Sequence, residues 1–127
     1  MSALVLDAGA LVAIDRNDRY VHKQLMDAEL TGDELRTNAM VVAQVWRDSK
    51  GRQANLAKVL RTVQVYSVSK DDGRKAGELL AAAGLWDAID ATVALLAGPG
   101  DRILTSDPDD LERLCGVAGN RAFVIRC

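Results

Sequence analysis

The chain opens with an uninterrupted apolar run, Ala3-Leu4-Val5-Leu6, which is stopped by an acid, Asp7. A strand with one wet face alternates polar and apolar residues. A run without alternation suits a strand covered on both faces, as in a parallel sheet held between helices. The rest of the sequence fits that demand. Further strand candidates stand at Glu34-Leu35-Arg36-Thr37, residues 63–68, Arg102-Ile103-Leu104-Thr105 and residues 122–125. Helical segments are expected between them. The first pair covers residues 8–14 and 19–30, the latter placing Tyr20, Leu25, Met26 and Leu30 near one face before Gly32 closes it. Asn38 can cap a helix carrying Val41, Val42, Val45 and Trp46 and ending near Lys50-Gly51, with another over 52–61. Ser69-Lys70-Asp71-Asp72 opens a helix that runs to Ala83 and stops at Gly84, residues 87–96 form the next, and Asp107-Pro108 opens the last. Alternating segments of this kind imply an α/β chain: a three-layer α/β/α sandwich with a mainly parallel sheet of about five strands and right-handed crossovers.

At 127 residues, with 49% apolar and 27% charged, the chain reads as one globular domain, 1–127, rather than a disordered or disulfide-built one. A formal charge of -2 excludes a protein that is basic overall, so any nucleic-acid contact must use a local patch. Cys115, Cys127 and the single His22 offer no zinc spacing, and the thiols read as incidental, with His22 at the surface. The first apolar run ends at Asp7, too early for a signal sequence, and the longest apolar stretch, 91–97, is far short of a membrane span. A cytoplasmic protein without membrane contact is expected.

In open parallel sheets, ligands bind outside the carboxyl ends of the strands, where strand order reverses. Asp7 follows the first strand and Asp107 follows the fourth by two residues, while Asp90 lies early in the helix before the fourth. If the two strands are neighbours, these carboxylates converge, and such clusters shift their pKa values or hold a hard cation such as Mg²⁺ or Mn²⁺. Each acid also has a plainer reading. Asp107, ahead of Pro108, suits a helix cap, and Asp87 with Asp90 fits a cap and its third helical position. Asp7 is the exception, an acid closing a buried strand with no capping box and no evident basic partner.

Three segments, Leu4-Val5-Leu6-Asp7-Ala8-Gly9-Ala10-Leu11, Asp87-Ala88-Ile89-Asp90-Ala91 and Ile103-Leu104-Thr105-Ser106-Asp107, in this order and spacing, make the chain resemble the PIN-domain ribonucleases, and among them the VapC-type toxins of bacterial toxin–antitoxin modules. The resemblance spans essentially the whole chain. It implies that Asp7, Asp90 and Asp107 bind metal, that Thr105 or Ser106 holds a carboxylate or water, and that Asp110 and Asp87 are auxiliary acids. It implies hydrolysis of RNA phosphodiester bonds with Mg²⁺ or Mn²⁺, leaving a 5′-phosphate, by a homodimer restrained by a small antitoxin. One position departs from the family: where a glutamate is usual, this chain has Gln44. A neutral amide can orient a water or a phosphate, but it removes one negative charge and cannot act as a base. Asp48, one turn on, is a possible substitute or a solvated partner of Arg47 or Arg52.

RNA must also find positive charge. The stretch Arg47, Lys50, Arg52, Lys58 and Arg61, against Asp48 alone, is a candidate backbone-contact face, with Arg47, Lys50 and Arg52 at its centre; a merely solvated helix pair would look the same. Trp46 sits on an apolar helical face and suits burial, whereas Trp86, just before Asp87, suits either burial or base stacking. The competing reading is a catalytically weakened RNA- or partner-binding module, because of Gln44. A receiver-like phosphoacceptor lacks its acceptor Asp at the third strand, and an Asp-x-Asp phosphatase is disfavoured by Gly9.

Overall fold

The computed structural model describes residues 2–47 and 49–127. Five strands, β1 (Ala3–Leu6), β2 (Glu34–Asn38), β3 (Gln64–Tyr66), β4 (Arg102–Thr105) and β5 (Phe123–Arg126), form one sheet in the order β3-β2-β1-β4-β5. All four pairings are parallel. The helices are α1 (Ala8–Asp15), α2 (Arg19–Thr31), α3 (Ala39–Val45), α4 (Ala54–Leu60), α5 (Lys70–Ala83), α6 (Ala88–Ala94) and α7 (Pro108–Ala118). They pack as two groups, α1 with α2, α3 and α4, and α5 with α6 and α7. Because the chain reverses its direction across the sheet after β3, right-handed crossovers put these groups on opposite faces. The unalternating first strand therefore lies at the sheet's centre, where Leu4, Val5 and Leu6 are fully buried beside Ile103 and Leu104 of β4. Among the described residues, no helix is long and apolar enough to cross a membrane.

Several elements differ from expectation. In α2 the buried residues are Val21, Leu25 and Ala28, while Tyr20, Met26 and Leu30 are exposed. At about 100° per residue, Leu30 is turned about 140° away from Leu25, so the expected four could not share a face. The expected surface residue His22 is instead half-buried, with Nε2 shut from water and without a partner. Helix α3 ends at Val45, short of Lys50, and a 3-10 turn follows at Ser49–Gly51. Gln53 accepts from the Arg47 N–H at 2.6 Å and donates to the Val45 carbonyl at 2.9 Å, and Arg47 Nη1 donates to the carbonyls of Ala43 and Trp46. These side chains take over the backbone groups that a longer helix would have used. Helix α4 is shorter than 52–61, β3 is shorter than 63–68, and β5 starts one residue later than expected.

One buried carboxylate joins the amino ends of the strands. Asp101 accepts from the Ala3 N–H and from the Gly98 N–H, each at 2.8 Å, and lies 3.6 Å from Arg36 of β2. Removing it leaves the buried Ala3 N–H and the partly buried Gly98 N–H without an acceptor, so Asp101→Ala should cost about 3 kcal/mol and Asp101→Asn about half of that. Urea unfolding measures both. An Ala variant within about 0.5 kcal/mol of wild type would refute this role.

Candidate functional site

Strand order reverses between β1 and β4, and the acids gather outside the carboxyl ends of this pair. The Asp7 N–H donates to the Leu104 carbonyl at 3.2 Å, extending the ladder by one residue and setting the Asp7 side chain beside Thr105. The Thr105 hydroxyl donates to one carboxylate oxygen of Asp7 and accepts from the Asp107 N–H at 2.9 Å. One buried hydroxyl thus holds both strand-end acids. The other Asp7 oxygen accepts from the Ala10 N–H at 2.9 Å, so Asp7 also caps α1, which the missing capping box did not reveal. Burial pushes the Asp7 carboxyl above its ordinary value, and the bonds from Thr105 and the Ala10, Ser106 and Gly9 amides oppose that rise.

Asp107 occupies the cap position of α7 behind Pro108, yet its side chain makes no capping bond. This corrects its capping reading, since the carboxylate is left for other partners. Oxygens of Asp90, Asp107 and Asp110 all lie within 4.8 Å of one another. Asp87, by contrast, does cap, accepting from the Ile89 and Asp90 N–H groups at 3.0 Å each. Burial first, then the carboxylates of Asp87, Asp107, Asp7 and Asp110, push Asp90 up to about 7. Asp110 is raised as well, by desolvation and then by Asp107.

The structure therefore brings Asp90, Asp107 and Asp110 into one cluster, with Asp7 and Asp87 within electrostatic reach. Ser106 is exposed, with its side chain against α1: a side chain on Gly9 would begin 2.1 Å from the Ser106 Oγ. Gly9 is thus what lets the turn after β4 close onto α1. Its only sequence signal was a glycine within a helical stretch. Asn38 and Thr92 were also missed as site supports. Asn38 caps α3 with its carbonyl oxygen while its amide donates to Thr92 of α6 at 3.0 Å, tying the helix that carries Asp90 to the end of β2. Gln44 is exposed on α3, which packs against α6. Arg47, Lys50 and Arg52 are exposed around the 3-10 turn after α3, and Asp48 lies outside the described residues. Trp46 packs half-buried against the core, whereas Trp86 is 94% exposed.

No family model and no curated protein matches the sequence. The fold is similar to that of a chain in the crystal structure of VapBC2 from Rickettsia felis bound to a DNA fragment from their promoter, with a TM-score of 0.72 over 98% of both chains at 14% identity. The chain has a PIN-like fold.

The electrostatics of the cluster can be measured directly. Carboxyl NMR should place the Asp90 midpoint near 7 rather than at 3.8. Because its folded value lies above its unfolded one, the native state binds the extra proton. That contribution to stability is complete below about pH 4 and is lost as pH rises to about 7. Asp87→Asn keeps an oxygen for the cap and removes a charge, so the Asp90 midpoint should fall and the loss of stability with pH should shrink. A midpoint unmoved by this substitution would contradict the arrangement.

Proposed function

We propose that the chain is a single-domain, metal-dependent endoribonuclease, the toxin of a toxin–antitoxin pair, hydrolysing RNA phosphodiester bonds in the cytoplasm as a homodimer. The observation that carries this reading is the set of carboxylate oxygens from Asp90, Asp107 and Asp110 within 4.8 Å of one another, outside the carboxyl ends of β1 and β4. A donor set made only of oxygen fits a hard cation, Mg²⁺ or Mn²⁺, and Asp90, raised first by burial and then by the surrounding carboxylates, lies in negative charge that such a cation would relieve. A bound ion would supply Lewis-acid stabilisation of the phosphate and a more acidic water.

The chain's own groups supply the placement. Thr105 fixes Asp7 and the Asp107 backbone together, while Asp87 holds the first turn of α6 and with it Asp90. Asp7, Asp90 and Asp107 are the proposed ligands, with Asp110 completing the cluster and the Ser106 backbone N–H donating to Asp7. Gln44 can orient a water or a phosphate oxygen by hydrogen bonding but cannot take its proton. Arg47, Lys50 and Arg52 offer positive charge to the RNA backbone. The VapBC2 neighbour supports a small antitoxin as the protein partner. A second reading, a binding module without turnover, is favoured by the neutral Gln44.

Mixed cellular RNA incubated in Mn²⁺ with the purified, antitoxin-free protein separates the two. Cleavage to 5′-phosphate ends is expected, abolished by EDTA and lowered at least about a hundredfold in Asp90→Asn. Absence of cleavage at every Mn²⁺ concentration, with activity appearing in Gln44→Glu, would establish the binding module instead.

A further inference from the structure

Trp86 is 94% exposed, although tryptophan carries one of the largest apolar surfaces of any side chain. Its backbone is nonetheless firmly held. On one side, Gly84 ends α5 in the left-handed conformation, and the N–H groups of Gly84 and Leu85 both donate to the Leu80 carbonyl, at 2.9 and 3.1 Å. Leu85 packs against the core. On the other side, Asp87 is fixed by its two bonds to the first turn of α6, the helix that bears Asp90. The indole is therefore presented to solvent from a pinned three-residue link at the edge of the acidic cluster.

A cation stands beside the Gly84 end of this link. Arg113 is exposed on α7, and its Nη2 lies 3.5 Å from where a side chain on Gly84 would begin. Asp110 lies three residues earlier on the same helix, so Arg113 is one turn from the cluster and adjacent to the link that carries Trp86. The neighbours that shift Asp90 are all carboxylates, and their field repels a polyanion. Stacking is an anchor that this field does not oppose, and one guanidinium can pair with the phosphate attached to the stacked base.

Resting on the ribonuclease reading, we propose that Trp86 and Arg113 form a nucleotide subsite. Trp86 stacks an unpaired base of single-stranded RNA, and Arg113 holds the adjoining phosphate, so that the strand enters the acidic cluster in a fixed register. Both are substrate-binding residues with no part in the bond-breaking step.

The test is binding of a dye-labelled ten-nucleotide oligouridylate, followed by anisotropy in EDTA so that affinity is read without turnover. Trp86→Ala should weaken binding about tenfold with an unchanged salt dependence, and Trp86→Phe should restore most of the loss. Arg113→Gln should reduce the salt slope by about 0.7. In a Trp46→Phe background, where Trp86 is the only tryptophan, the oligomer should quench its fluorescence. Wild-type affinity in Trp86→Ala would overturn the subsite even if the protein cleaves RNA. The predicted losses in a protein that cleaves nothing would keep the subsite and remove the nuclease reading. A Trp86 emission that changes with protein concentration in the absence of RNA would assign the indole to a protein interface and overturn the proposal.

Discussion

The parallel pairing of β1 with β4 sets Leu6 against Leu104, and the ladder continues one residue further to the Asp7 N–H. That extra step lets the acid ending β1 reach the hydroxyl ending β4. Thr105 is fully buried, and a buried hydroxyl must be satisfied in both its roles. It donates to Asp7 and accepts from the Asp107 backbone, and so fixes where α7 begins. Asp110 sits in the first turn of that helix, and its arrival in the cluster follows from the same bond. The arrangement of these acids is thus a consequence of register in the sheet, and a glycine at position 9 leaves room for Ser106 in the turn that follows β4.

Placing acids this close works against folding. A carboxyl raised to about 7 is harder to ionise in the native chain than in the unfolded one, and the difference opposes stability at neutral pH. The acids around Asp90 are held largely by bonds to groups outside the cluster. Asp87 is held by α6 amides, Asp7 by Thr105 and Ala10, and α6 itself by the buried Asn38–Thr92 bond.

How much of this could be read from the sequence depends on the range of the interaction involved. The strand β1 and the Ser69–Asp72 capping box of α5 are local patterns, and both stand where the residues place them. Convergence of Asp90 and Asp107 followed from strand ends and the general rule for ligand sites in open parallel sheets. The exposed face of α2 and the early end of α3 did not follow, because they are set by which residues meet the sheet and by the clamp of Gln53. Asp101 bonds to Ala3 across 98 residues, as Thr105 does to Asp7, and no local pattern marks contacts at that separation. The release of Asp107 from capping was equally hidden, since the Asp-Pro start has the same letters whether or not the side chain turns back on its helix.

The two ends of the sheet treat their acids differently. At the amino end, where β2 and β4 begin, acids meet arginines: Asp33 with Arg102 at 3.2 Å, Glu34 with Arg36 at 2.9 Å, and Asp101 with Arg36 at 3.6 Å. Glu34 is held below its ordinary range by the Tyr66 hydroxyl and by Arg36. At the carboxyl end, none of the ion pairs among the described residues includes Asp7, Asp87, Asp90, Asp107 or Asp110. The same sheet that neutralises its acids at one end thus concentrates them without counter-charge at the other. Structural needs account for the first end. At the second end the chain supplies hydrogen-bond donors but no counter-charge to these acids among the described residues, and the oxygen-only cluster of Asp90, Asp107 and Asp110 has the donor chemistry that could receive a cation.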